Sequence, residues 1–588
     1  MNVRPHGAPV SQPRFAHLLP WLAPVAALLA HLPVAAACWS GQRYPGFPTL
    51  RSDSLNARKL ALDTWLVLGE RWQAAEGLGG VLSFLTRDLW QVPVESRALN
   101  FLDMALVVWP VQALAGERAV VVQGIVLVAL AVAGGQLFAR ALGAGPAGRA
   151  AAGLVAGGAG LTLTTAALGQ IPQAITAPAL LSLAGLWRIS EGRRGGLPLA
   201  GVGLTLTALL YWQGALVLGL GWALFAAGRA LRLEALPGFL AGAAAAGLLG
   251  IALALPAALP VLQAMGQEPL LATLPYGTPF PSPGTPEWTA WPRAEQTLYD
   301  AIPIAELLSP LRGWLLPALT LLPAVAAGVW GRGRAAAPWL ALLAAAALVV
   351  GPYPVLYGDL YGVHYGAHDG AHTVINPIYD AAFRWLPTAS RMHHPMRWAA
   401  LVTAGLAALA AVGMDRIWAA RPRLAAGLLV LAALQAATLG PWPLTTSPWP
   451  GEVARALSDC ERLYFPSAFD AQWLDHARAH TSGVAWRPSE PPPTHKALPF
   501  AIPEGEALEA ARATKRDLRR LLAGKLPDDL APGACVLLDA GVQGVGRQRA
   551  ARRLEEAWGA PLTVEVAPGL LYPGDDPGAL RVFRAPLR

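Results

Sequence analysis

Eleven apolar runs, most of them joined by short turns that carry arginine, leave this chain few ways to fold. Hydrocarbon offers no partner for a backbone N–H or C=O, so a run of about 20 apolar residues crosses a bilayer as an α-helix. The first run is Phe15–Ala37. The others fall near 118–140, 149–168, 172–190, 197–213, 214–231, 236–262, 312–331, 336–354, 396–415 and 424–441, with Tyr211-Trp212-Gln213 the only break between the fourth and fifth of these. Leu99–Ala115 is shorter and interrupted by Asp103. A carboxylate at mid-bilayer costs about 2.5–3.5 kcal/mol, so this stretch reads as re-entrant or interfacial.

Composition agrees. The 588 residues are 54% hydrophobic and 14% charged, against about 25% charge in soluble domains. The net charge of +8 reads as topology-setting arginine and not as nucleic-acid binding. With the N-terminus inside, every inside turn is basic: Arg140 and Arg149; Arg188, Arg193 and Arg194; Arg229 and Arg232; Arg332 and Arg334; Arg416, Arg421 and Arg423. Counting 99–115 as a span would break that register. The expected class is an all-α polytopic membrane domain of about eleven transmembrane helices with a C-terminal soluble α/β domain.

Four units follow: a cytoplasmic tail and first helix (1–37), a first outer loop (38–116), a multi-span domain (117–441) and an extracytoplasmic α/β domain (442–588). Ala35-Ala36-Ala37-Cys38 is similar to a signal-peptidase or lipobox site, and in a polytopic chain an uncleaved anchor is expected. Leu60–Gly77 sets Leu62, Trp65, Leu66 and Trp72 on one face, as in a helix lying at an interface. In the last unit, Arg462–Pro466, Ala534–Ala540, Leu562–Val566 and Leu580–Arg584 read as strands, and Gly505–Gly524 and Arg547–Gly559 as helices. The three cysteines, Cys38, Cys460 and Cys535, form no CxxC pair. Cys460 and Cys535 suit either a disulfide or two buried thiols.

The first outer loop holds the chemistry of greatest interest. Asp53 sits in a polar turn with Arg51, Arg58 and Lys59 close by. Sugar transfer from a polyprenyl phosphate needs a base for the acceptor proton, cations for the phosphate and an apolar groove for the lipid. Asp53 suits the first task, and Arg51, Arg58 and Lys59 the second. From local sequence alone Asp53 suits the N-cap of a following helix somewhat better. Asp63 and Asp88 read as solvated loop charges.

Other outer segments carry further groups. Loop 355–395 holds Tyr357, Asp359, His364, His368, Asp369, His372 and Asp380. His364, His368, Asp369 and His372 have spacing for a divalent metal such as Mg or Mn on a helix, but glycines at 358, 362, 366 and 370 argue for a polar substrate-facing loop. Arg391, His394 and Arg397 lie at a helix entrance on the outer side, where phosphate, a carboxylate or lipid headgroups would partner the arginines. Gln170 and Gln173, in the turn after Gly169, suit a head group or a simple turn. Glu268, Tyr276, Glu287, Trp288 and Trp291 suit sugar stacking or interfacial packing.

Several of these stretches together resemble the YfhO-like, GT-C-type membrane glycosyltransferases. They are Arg51-Ser52-Asp53 in an early outer loop, Arg140 through Arg149 to Gly153 as a turn between spans, Gly169-Gln170 before a span ending at Arg188, and Leu386-Pro387 through Arg391, Pro395, Arg397 and Trp398. Gln170 stands where the family has histidine, and Arg391 to Arg397 is a stretched form of its Arg-x-Pro-x-Arg. The resemblance implies Asp53 as base; beside it, Arg51, Arg58, Lys59, Gln170, Arg391, His394 and Arg397 are the residues expected on the substrate. It also implies a polyprenyl-phosphate sugar donor, membrane lipid as surroundings, and a bacterial inner membrane location. A flippase for lipid-linked saccharides and a non-catalytic assembly protein are the rivals. The first should show broken helices and ionisable groups within the spans.

Overall fold

The computed structural model describes residues 15–39, 43–46, 74–84, 118–167, 176–210, 212–230, 236–267, 315–332, 336–351, 376–385, 395–439 and 445–448, with parts of 460–488 and 520–586. Among the described residues, four helices are long and apolar enough to cross a membrane, in 16–38, 121–141, 236–256 and 399–420, and five shorter ones are also apolar.

Helix α1 (Leu22–Cys38) is entered through a 3₁₀ turn at Ala16–Trp21. It buries Ala23, Ala27 and Ala30 and exposes Val25, Leu28, Leu29 and Leu32, as a helix between protein and lipid should. Pro24 has no N–H for the Pro20 carbonyl, which is four residues back. Gln136 Nε2 donates to that carbonyl instead, at 2.6 Å. Gln136 lies on α3, which follows β1 (Arg43–Gly46) and α2 (Gly77–Ser83) and spans Ala119–Ala141. Gly143, with φ +84°, ends α3. Its N–H donates to the Arg140 carbonyl, and the Ala144 N–H donates to Ala139, so two terminal carbonyls are satisfied.

The expected span 149–168 is not continuous. Helix α4 (Pro146–Gly158) stops at Ala159, whose backbone is extended, and α5 (Gly160–Ala167) restarts. Gly157, Gly158 and Gly160 surround the break, and glycine is a poor helix former. Thr162 Oγ1 donates to the Ala156 carbonyl at 2.9 Å and so satisfies a group the break frees.

Then come α6 (Thr176–Ser190), α7 (Gly196–Leu210), α8 (Trp212–Ala230) and the 32-residue α9 (Leu236–Gln267). A break is expected at Tyr211–Gln213; α7 ends at Leu210 and α8 begins at Trp212. Helix α10 (Leu322–Arg332) follows, and the expected span 336–354 forms two pieces, α11 (Ala337–Leu343) and α12 (Ala346–Val349). Last are α13 (Pro377–Trp385), α14 (Ala399–Ala420) and α15 (Pro422–Leu439).

Helices α4 and α14 form the centre, and both are rich in alanine and glycine. Small residues let backbones approach, which is what holds helices together where lipid is as apolar as leucine. At Gly413 an added Cβ would strike the Ala324 carbonyl of α10. Toward one end, Trp339 of α11 is fully buried among Phe138, Trp187 and Phe225, at ring distances of 5.4, 5.6 and 5.1 Å.

The C-terminal part holds a five-stranded mixed sheet. Strand β2 (Thr445–Pro448) pairs instead with β1. In the sheet, β3 (Arg462–Tyr464), β4 (Arg487–Pro488), β5 (Ala534–Asp539), β6 (Leu562–Val566) and β7 (Gly578–Arg584) run in the order β4-β3-β5-β7-β6. Strand β3 is parallel to β4 and β5, and β7 is antiparallel to β5 and β6, with Val536 opposite Phe583. Helix α16 (Val545–Trp558) buries Ala550 and Leu554 against Val536 and Phe583. Cys460 and Cys535 form a disulfide. The stretches 60–73, 99–115 and 505–519, where an interfacial helix, a re-entrant segment and a further helix are expected, lie outside the described residues.

Candidate functional site

The bundle has two chemically different ends. At one, the α3–α4 turn, the ends of α6 and α8 and the α14–α15 turn come together. Arg229 donates from Nη2 to the Ser190 carbonyl at 2.9 Å. Asp415 of α14 accepts the Gly145 N–H at 2.5 Å and the Gly148 N–H at 2.7 Å. Arg140, Arg149, Arg188, Arg193, Arg416, Arg421 and Arg423 sit on these same ends. The turns expected to be inside therefore share one face.

The opposite end gathers described residues that flank the long polar segments. Trp39, just past α1, stacks under the Arg118 guanidinium at 5.0 Å, and Arg118 is the N-cap of α3. Val34, Ala35 and Cys38 pack with Val121 beneath that contact. The chain between Trp39 and Arg118 thus leaves and re-enters the bundle at neighbouring points. Strand β1, on the leaving side, pairs antiparallel with β2, Tyr44 opposite Ser447, so the chain after α15 departs from the same end.

Helix α14 enters here as well, through a 3₁₀ turn at Pro395–Trp398. Arg397 is half-buried on this turn, and Trp398, 1% exposed, sinks into a cluster with Val217, Leu315, Leu348 and Tyr379. Asn376 organises the approach. Its Oδ1 caps α13 by accepting the Ile378 and Tyr379 N–H groups, while Nδ2 donates to the Ala347 and Gly351 carbonyls at the end of α12. Burial pushes the Tyr379 phenol well above its usual range.

Of the residues expected to bind substrate, Arg397 is described, and it lies at the end where the first loop is anchored. Arg51, Asp53, Arg58, Lys59, Gln170, Arg391 and His394 lie outside the described residues, as do His364, His368, Asp369 and His372. Gln170 follows the end of α5 by three positions. Among the described residues no group of three His, Cys, Asp or Glu is placed to hold a metal.

Two polar residues inside apolar runs escape a reading based on loops. His31 of α1 is 2% exposed and Gln123 of α3 is 3% exposed, and among the described residues neither His31 Nδ1 nor Gln123 Nε2 has a hydrogen-bond partner. An unmet buried polar group costs about 1–3 kcal/mol. His31 lies seven residues before the end of α1 and Gln123 four residues into α3, roughly 10 Å and 6 Å below the mouth. A Cβ on the neighbouring Gly124 would lie 2.9 Å from His31 Nε2 and 3.0 Å from the Ala166 carbonyl, so α1, α3 and α5 meet there. The signal was present in the sequence: an ionisable residue within a span is rare enough to suggest a task.

No protein-family model matches the chain, and no curated protein matches its sequence.

Proposed function

We infer that this protein is an inverting, lipid-linked glycosyltransferase of about eleven passes, moving a sugar from a polyprenyl-phosphate donor to an extracytoplasmic acceptor. The arginine-rich end faces the cytoplasm, as the distribution of positive charge in membrane proteins favours. The opposite end carries the active site and the C-terminal α/β domain. The Cys460–Cys535 disulfide supports an oxidising compartment for that domain, such as the bacterial periplasm.

The observation that carries the reading is that the first loop's two anchors, Trp39 and Arg118, and the Arg397 turn lie at the same end of an apolar bundle. In this scheme Asp53 removes the acceptor hydroxyl proton as that oxygen attacks the anomeric carbon. The bond from that carbon to the phosphate oxygen breaks with its electron pair on phosphate, and Arg391 and Arg397 hold the anion. Purified full-length protein would be assayed with a panel of radiolabelled polyprenyl-phosphate hexoses. Asp53→Asn should abolish transfer while melting temperature and donor binding stay as in the wild type. Undiminished transfer by that variant would sink the assignment.

A flippase for a lipid-linked saccharide is the second reading. The helix break at Ala159 and buried His31 favour it, because transporters use interrupted helices and intramembrane polar groups. Movement of donor across proteoliposomes without sugar transfer would establish it.

A further inference from the structure

His31 and Gln123 take no part in the sugar-transfer scheme, yet the bundle keeps both buried with polar atoms unmet. The side chains buried on the same three helices include the apolar Ala27, Ala30, Leu127 and Leu163. Leucine at 123 or phenylalanine at 31 would suit such a place better if packing were the whole purpose. The helices also converge where these groups sit, because Gly124 brings α3 against the His31 ring and the Ala166 carbonyl. Helix α5 exists as a separate short piece only because the chain breaks at Ala159.

Helix ends of both signs meet at this corner: α3 begins here, while α1 and α5 end here. Arg118 occupies the N-cap position of α3 five residues before Gln123, roughly 7 Å along the axis. The first turn of α3 has no acidic residue, and its N–H groups point toward the mouth, the favourable end of a helix dipole for negative charge. Gln123 Nε2 is a donor in any protonation state, and His31 Nδ1 donates in one neutral tautomer.

We propose that the corner between α1, α3 and α5 binds the phosphate of an isoprenoid-phosphate lipid, with Gln123 Nε2 and His31 Nδ1 donating to its oxygens. The isoprenoid tail lies in the surrounding hydrocarbon against Leu28, Leu29 and Leu32, which α1 exposes. The assignment rests on the lipid-linked donor of the proposed function and adds two residues that hold it.

The test uses full-length protein in detergent micelles and farnesyl phosphate as the probe, with farnesol and inorganic phosphate as controls. His31→Phe and Gln123→Leu should each weaken farnesyl phosphate binding at least tenfold. Farnesol and inorganic phosphate should bind far more weakly than farnesyl phosphate to the wild type. Wild-type affinity for farnesyl phosphate in both variants, with raised melting temperatures, would mean that the two residues only pack, and would overturn the site. Equal binding of inorganic phosphate would overturn the lipid as its ligand. Farnesyl phosphate binding that depends on both residues, in a protein that transfers no sugar, leaves this site standing and removes the enzyme reading. Sugar transfer with both variants binding normally does the reverse.

Discussion

The Asp415 carboxylate, near the end of α14, accepts the backbone N–H of Gly148 at 2.7 Å, and its other oxygen takes Gly145. These N–H groups open α4 and have no partner within that helix. A side chain 267 residues away in sequence thus caps the central helix, where negative charge also suits the helix dipole.

Asp415→Ala should cost about 2–3 kcal/mol, since it leaves two donors unmet in a half-buried site. Asp415→Asn, with one acceptor oxygen, should cost about half as much. Thermal unfolding in detergent reads both, and an alanine variant as stable as the wild type would show that water replaces the carboxylate.

Gly413→Ala should destabilise the bundle by about 1–3 kcal/mol, because the new methyl meets the Ala324 carbonyl and α10 and α14 must separate. Gly427→Ala is the control. Nothing lies within 4 Å of the Cβ position there, so the helix should gain a little stability.

Breaking the Cys460–Cys535 disulfide opens a loop of 75 residues. Chain entropy assigns such a closure about 4 kcal/mol. Cys460→Ser should lower the unfolding temperature of the C-terminal part and free one thiol for labelling in denaturant. Denatured wild type should label one thiol, Cys38, and Cys460→Ser two; three labelled thiols in the wild type would contradict the pairing.

Tyr379→Phe gives a pH test. Burial raises the phenol's pKa above its ordinary value of about 10. The neutral form is the one the fold accepts, so its contribution is complete below pH 10 and declines as pH rises further. Between roughly pH 10 and 11.5 the wild type should therefore lose melting temperature faster than Tyr379→Phe. At pH 7 the substitution should cost about 1 kcal/mol or less. Parallel curves would show that Tyr379 reaches solvent.

The sequence disclosed the helices wherever period and punctuation agreed. Helix α3 was expected at 118–140 and runs Ala119–Ala141, because Gly143 and Pro146 mark its end and its successor's start. Two separate helices, Gly196–Leu210 and Trp212–Ala230, stand where the spans 197–213 and 214–231 were expected. The break at Ala159 was not foreseen, since glycines within an apolar run preserve hydropathy while lowering helix propensity. His31 stayed hidden for a related reason: one imidazole hardly alters the mean of a run in which 13 of 17 residues are Ala, Leu or Val. Asp415 was invisible as a cap because its partners are backbone groups on another helix. The disulfide stayed open, as spacing alone does not choose a pairing.

Helix α9 poses a question of length. Its 32 residues measure about 48 Å, and hydrocarbon is about 30 Å thick. Even at a steep 40° lean the rod covers some 37 Å of height. Part of it must therefore stand clear of the acyl chains, like a mooring post driven through soft ground with its head left among the lipid phosphates.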